Sequence, residues 1–246
     1  MRKLQLTNQA GFSLVELFIA MTITIVMMGL AATLLASSFK VRAREDRKSD
    51  AIADVQRALN IMTREISNAG FKLPSGLGGV SSNGLVAGDS NSQSVRLVSN
   101  LNGTPDPASP DTADTDVADS DEDLKFQMYV DNDLGQRYLV RFDANAANNK
   151  TTVLANRVDA LVFRYYDEKV TYSTVVNSTT GVCDISNVKN GAGNNKSEVS
   201  PAAAKYVVIS ICVTLPAVGK PNVEGYQPLS QLQLTSDVVL RNSITY

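Results

Sequence analysis

Phe12-Ser13-Leu14-Val15-Glu16-Leu17-Phe18-Ile19-Ala20-Met21-Thr22-Ile23-Thr24-Ile25-Val26-Met27-Met28-Gly29-Leu30-Ala31-Ala32-Thr33-Leu34-Leu35-Ala36-Ser37-Ser38-Phe39 is the stretch on which the reading of this chain turns. Its 28 residues carry one charge, Glu16. As a helix rising about 1.5 Å per residue the run reaches about 40 Å, longer than the roughly 30 Å hydrocarbon core of a bilayer. It is long enough to span a membrane. A secretory signal has a shorter apolar core followed by a small-residue cleavage site. Here the small residue, Gly11, stands before the apolar run, so a cut after Gly11 leaves the hydrophobic helix on the mature chain.

Working outward, Ile52, Val55, Leu59, Met62, Ile66 and Ala69 recur at steps of three and four, with Lys48, Asp50, Asp54, Arg57, Arg64 and Glu65 between them. That spacing predicts an amphipathic helix. With no proline before Pro74 and Gly70 placed as a stop, the helix is expected to run nearly unbroken from about residue 13 to residue 69. Its stripe either covers a sheet formed by the following chain or meets a coiled-coil partner.

From Lys72 the period changes from 3.6 to 2. Leu124, Phe126, Met128 and Val130 alternate with polar or aromatic neighbours, and Asp131-Asn132-Asp133-Leu134-Gly135-Gln136 turns the chain into residues 137–142, a β-hairpin signature. Further strands are expected at 95–98, 151–154, 158–166, 170–176, 206–215 and 232–240. The fold class is therefore α+β: a long N-terminal helix, half transmembrane and half amphipathic, on a mainly antiparallel β domain. The divisions are a leader over 1–11, an apolar helix over 12–39, an amphipathic helix over 40–70 and a β-rich head over 71–246.

Composition excludes several function classes. The 246 residues contain no histidine, which removes His-based triads and zinc sites. There is no Walker-type Gly-Lys loop and no Gly-x-Ser-x-Gly elbow, so catalysis is not expected. A net charge of −2 and the absence of Trp give no support for a nucleic-acid groove. The two cysteines, Cys183 and Cys212, form one disulfide if the head lies in an oxidising compartment, or are two unpaired small core residues.

Glu16 requires a reason, because a carboxylate within a transmembrane helix costs about 2.5 to 3.5 kcal/mol. Two readings stand. Cleavage after Gly11 would create an amine on Phe12, one helical turn away and a partner for the carboxylate in a helix bundle. Alternatively Glu16 is a helix-start acid at the headgroup level, favourable to the helix dipole.

Arg2-Lys3 followed by Gly11-Phe12-Ser13-Leu14-Val15-Glu16-Leu17 and the long apolar run resembles the class III signal of type IV pilins and pseudopilins. The resemblance implies cleavage after Gly11 by a prepilin peptidase, N-methylation of Phe12 and a role for Glu16 in assembly. It further implies a single-pass protein of the bacterial inner membrane with its head in the periplasm, and a place in the pilus, at its tip. Lys40, Arg42, Arg44, Arg47 and Lys48 outnumber Arg2, Lys3 and the initiating amine, and Glu45 and Asp46 only partly offset them. The positive-inside rule does not by itself give this orientation, which rests on the leader motif.

Beyond the leader, Gln56-Arg57-Ala58-Leu59 through Ala69-Gly70-Phe71, Val153-Leu154-Ala155-Asn156-Arg157-Val158 leading to Phe163-Arg164-Tyr165-Tyr166, and the closing Val239-Leu240-Arg241-Asn242 resemble PilW-type minor pilins. The J-type minor pseudopilin of type II secretion shares much of this layout. The resemblance implies a minor pilin that primes or caps a type IV pilus, with no cofactor. Its partners would be the prepilin peptidase, other minor pilins, the major pilin, the assembly platform and the membrane. A pilus-anchored adhesin head is the competing reading of another class, and adhesion lost with filaments intact after deletion of residues 108–121 would single it out.

Two polar stretches bear on partners. Eight acidic residues and no basic one lie between Asp106 and Asp123. The loop over 105–123 is expected to be solvated and self-repelling, or to offer a calcium site from some of Asp114, Asp116, Asp119, Asp121 and Asp123, although EF-hand spacing is missing. Asp131 with Asp133 is a weaker pair of the same kind. The stretch 177–200, with Asn187, Asn190, Asn194 and Asn195, reads as a surface loop.

Overall fold

The computed structural model describes residues 13–73, 77–101, 116–133, 135–156, 158–177, 182–223 and 226–243. Its first element, α1 (Leu14–Asn68), is a single 55-residue helix. It is followed by β1 (Ser94–Val98), β2 (Asp123–Asp131), β3 (Gln136–Asp143), β4 (Thr151–Asn156), β5 (Ala160–Tyr166), β6 (Val170–Asn177), β7 (Val182–Asn190), β8 (Tyr206–Leu215) and β9 (Ser230–Val239). The expected α+β architecture, one long apolar N-terminal helix packed on antiparallel sheets, is the observed one. The chain divides into two compact units, one holding the helix as far as Asp46 with Val218–Gln227, the other Arg47–Ala217 with the chain from Pro228 onward.

In the first unit the helix exposes its apolar side chains throughout: Leu14, Phe18, Ile25, Met28, Leu34 and Phe39 are all exposed. Length and composition suffice for one membrane crossing. Each hydroxyl of this run is turned back on the helix. Thr22 donates to the Ile19 carbonyl at 2.9 Å, Thr24 to Ala20 at 2.7 Å, Thr33 to Leu30 at 2.8 Å, and Ser37 and Ser38 to Leu34 at 2.8 and 3.0 Å. No hydroxyl is left needing water, which suits a segment in lipid.

In the second unit the helix buries one face. Val55, Ala58, Leu59, Met62, Ile66 and Ala69 join Leu85, Leu97, Phe126, Leu139, Phe163 and Ile209 in one continuous core. Each large side chain so buried contributes about 1.5 to 3 kcal/mol; the stripe read from the sequence is the packed face from Val55 onward, while Ile52 is half-buried outside the core and Glu65, read on the polar side, is buried and paired with Arg64. The sheet-covering alternative is the one observed.

The helix ends where Gly70 turns to φ 79°, and its N–H leaves the helix to donate to Val98 at 2.9 Å. Asn242, from the closing segment, donates to the Ala69 carbonyl at 2.8 Å. Gly70 lies directly on Gly84 (φ 82°): a Cβ on Gly84 would overlap the Gly70 backbone nitrogen. The left-handed φ and the missing side chain are both required here.

Among the described residues three antiparallel sheets form the head: β1-β2-β3-β4, β5-β8-β9 and the ribbon β6-β7. Eight of the nine strands fall where period-2 patterning places them. The ninth, β7, lies inside the 177–200 stretch read as loop. Cys183 and Ile185 alternate as a strand should, but Asn187 adopts φ 51° and the register slips opposite Thr171–Ser173. This bulge brings Val188 into the small cluster that also takes Ile185, Tyr172 and Tyr206 around Tyr166, Val170 and Val208. The one-residue slip hides the strand from period-2 counting.

Candidate functional site

The helix start is the first place where sequence and function meet. Gly11 and Phe12, the expected processing pair, lie outside the described residues. Glu16 sits in the first turn of α1, where its Oε2 accepts the Ser13 N–H at 3.0 Å. Ser13 Oγ accepts the Val15 N–H at 3.4 Å, and the Ser13 carbonyl opens the ladder by taking the Leu17 N–H at 3.2 Å. This reciprocal arrangement satisfies N–H groups that a helix start otherwise leaves open. Of the two readings of Glu16, the helix-start acid is visible in the geometry. Ser13 was missed, although Ser-x-x-Glu ahead of an apolar run is its signature.

In the head, Cys183 of β7 and Cys212 of β8 are disulfide-bonded, with Cα atoms 6.0 Å apart, and both are buried. The bond fastens the ribbon to the middle strand of the β5-β8-β9 sheet. Two other attachments lie close by in the chain. Arg164 of β5 holds Asp184 through two nitrogens and Glu198 through a third, and Gln233 of β9 donates to the Asp184 carbonyl at 2.9 Å. Hydrogen bonding to Asp184 raises the Arg164 pKa above its ordinary value. Tyr172 on β6 reaches Asp237 on β9, and desolvation, with that hydrogen bond, pushes its phenol pKa up. Thus all three strands of the sheet hold the ribbon.

Over its described part the acidic run is exposed at 116 and 118–121, as a solvated loop is, and is held at several points. Asp114 lies outside the described residues. Over 116–123, Asn100 donates to the Asp116 carbonyl at 2.9 Å and Asn145 to those of Val117 and Asp119 at 2.7 and 3.0 Å. Glu122, fully buried, accepts the N–H groups of Leu101 and Asp119. Asp121 is paired with Arg141. Asp123 takes a bidentate grip from Arg96 at 2.8 and 2.7 Å, while Arg96 also reaches Asp89 at 2.6 Å. Hydrogen bonding to Arg96 holds the Asp89 carboxyl below its ordinary range. Arg141 and Arg96 offset the charges of Asp121 and Asp123, and Asn100 and Asn145 hold the backbone. Among the described residues no group of three or more acidic or sulfur ligands is arranged to hold a metal ion, and Asp116, Asp119, Asp121 and Asp123 do not converge on one point. Asp131 accepts the Asp133 N–H at 3.0 Å, a local turn bond.

One groove of about 530 Å³ opens in the head between the far end of β2 and the outer edge of β5. Met128 and Val130 line one side, Ala160 and Leu161 the other, with Ser92 and Arg137 also in its wall. Its ionisable lining residues are Arg137, Asp159 and Arg164. The surface offers the amides and hydroxyls of Asn91, Ser92, Gln93 and Gln127, two arginines, Arg137 and Arg164, and the Asp159 carboxyl.

Compared with known protein families, curated proteins and solved structures, the chain finds no match in any of the three.

Proposed function

We propose that this chain is a minor pilin of the PilW type, processed after Gly11, methylated on Phe12 and assembled with other minor pilins to prime or cap a type IV pilus. One juxtaposition carries the reading: a fully exposed apolar helix whose continuation packs on a β head, opened by Gly11-Phe12-Ser13-Leu14-Val15-Glu16. The apolar half is a segment that needs neighbours. Before assembly these are lipids; in a filament they are the helices of other pilins. The protein works by binding, with the membrane, the prepilin peptidase, the major pilin, other minor pilins and the inner-membrane platform as partners.

Glu16 serves two successive roles in this scheme. In the precursor its carboxylate caps the first turn through Ser13. After cleavage the new amine on Phe12 lies next to Ser13 and competes for the same carboxylate, and an ion pair in a low-dielectric bundle outweighs one neutral hydrogen bond. The test is the content of sheared filaments. Wild-type protein should be present there in trace amounts, whereas Glu16→Ala should stay in the membrane fraction. Equal incorporation of Glu16→Ala would remove the amine pairing, and absence of the wild type from filaments would favour a J-like pseudopilin of a secretion system.

A further inference from the structure

We infer that Lys40 and Arg42, with Arg44 beside them, form a collar at the end of the apolar run that takes the phosphates of anionic phospholipid headgroups. The inference rests on the reading of α1 as a membrane-spanning helix and adds the chemistry of the lipid around it.

Charge marks where the hydrocarbon ends. Glu16 is the last charged residue before the uncharged run and Lys40 the next one after it. The 23 residues between them, 17–39, rise about 35 Å as a helix, against roughly 30 Å of hydrocarbon. A moderate tilt absorbs the excess, so Glu16 and Lys40 meet opposite boundaries of the apolar layer. The interfacial layer beyond adds about 5 to 7 Å on each side, which a helix crosses in four or five residues. On the far side from Glu16 those residues are Lys40-Val41-Arg42-Ala43-Arg44. They hold three cations and no carboxylate, a local charge of +3 in a chain whose net charge is −2. The first acids, Glu45 and Asp46, follow where the helix reaches water.

The cations go round the helix. At about 100° per residue, Arg42 projects about 200° from Lys40 and Arg44 about 40° from it. Lys40 and Arg44 are therefore like charges on one face, four residues apart, an arrangement that destabilises a helix lacking counter-ions. Lys40 and Arg42 are exposed and, among the described residues, enter no ion pair. Asp46, one turn beyond Arg42, is exposed and does not pair with it. Arg44 is half-buried. Phe39 and Val41, which alternate with Lys40 and Arg42, are exposed as well.

Exposed apolar and cationic side chains in alternation fit one surrounding, with acyl chains against the first and anionic headgroups against the second. Lys and Arg lay their stems along apolar surface and lift the charge to the phosphates. A zwitterionic headgroup brings its own cation, whereas an anionic one leaves a net negative charge for the collar. Each Lys or Arg close to an anionic surface favours it about fivefold.

The test uses the full chain, which contains no Trp, with Phe39→Trp as its only indole. It is reconstituted in phosphatidylcholine vesicles that carry a fixed minor fraction of either brominated phosphatidylglycerol or brominated phosphatidylcholine, whose bromines quench an indole they touch. Both leaflets have the same composition, so the direction of insertion does not enter. The quenching should give a binding constant about fivefold higher for the glycerol lipid at low salt, falling toward equality at about 1 M salt, where the screening length is about 3 Å. Lys40→Gln with Arg42→Gln and Arg44→Gln should bring the ratio to one and leave quenching by brominated phosphatidylcholine unchanged, which shows the helix seated as before. Lys40→Arg with Arg42→Lys keeps the charge and should keep the ratio. Equal quenching by the two lipids, or a preference that survives high salt or the triple substitution, overturns the collar alone. Quenching by neither lipid overturns the membrane-spanning reading and the collar with it.

Discussion

Met28 and Met62 lie in the same helix and meet opposite surroundings. Met28 is 72% exposed, along with the large apolar side chains around it, whereas Met62 is 0% exposed against the sheets. The difference between them is one of pattern: residues 17–39 are apolar or hydroxyl-bearing on every side, and residues 47–69 are apolar on one. A helix apolar all round asks for lipid or other helices, while a striped one is satisfied by its own chain. One element therefore serves as anchor and as half of a core.

The sharpest way to break this comparison is to put the same charge at both positions. Met62→Asp should cost the head about 4 kcal/mol or more, since a carboxylate would be buried without a partner, read as a collapse of the denaturant midpoint in detergent. Met28→Asp should leave that midpoint in place and reduce membrane insertion instead, by about 3 kcal/mol at mid-helix. If Met28→Asp destabilises the head equally, the two halves are not energetically distinct.

Next in size is the disulfide, which belongs to the head alone. Cys183→Ser should lower head stability by about 3 kcal/mol, the order expected for closing a loop of this length, and abolish the mobility shift that reduction produces in the wild type. Membrane partition of the helix should be unaffected.

Gly84→Ala tests the junction at the helix end. The added Cβ meets the backbone of Ala69 and Gly70 at a φ that L-residues adopt at a cost. A loss of about 2 kcal/mol is expected, whereas Gly79→Ala, with open space around it, should lose only the smaller cost of its positive φ. Equal losses would remove the close approach as the cause.

The smallest effect is a pH dependence confined to the head. Burial pushes the Tyr166 phenol up to about 12 and raises Tyr165 and Tyr172 as well. For such groups the native state holds protons that the unfolded chain has released. Their contribution is complete below about pH 10 and is lost as pH rises toward 12 and beyond. Chemical denaturation at rising pH should show this decline, and Tyr172→Phe should flatten part of it.

The helix, its stop at Gly70 and eight strands were legible because each is written in local periodicity. What stayed hidden depends on partners far apart in sequence. The β7 strand is masked by the bulge at Asn187. The grip of Arg96 on Asp123, across 27 residues, fastens the end of a run that stays exposed at 116 and 118–121. The approach of Gly84 to Gly70 needs the fold to exist before it can be seen. The groove is lined by residues of β2, β3, β5 and the turn before β1, and no local pattern announces it. Among site residues, Glu16 stood out by its charge in an apolar run, while Ser13, an ordinary polar residue, did not.

The account rests on the apolar helix being retained after removal of the leader. Intact-mass and N-terminal analysis of the protein from membranes and sheared filaments, with and without the prepilin peptidase, tests this directly. The account predicts a mature chain beginning at methylated Phe12 in peptidase-containing cells and an uncut chain without the enzyme. A chain beginning at Met1 in both would contradict it and leave a single-span membrane protein with a β head.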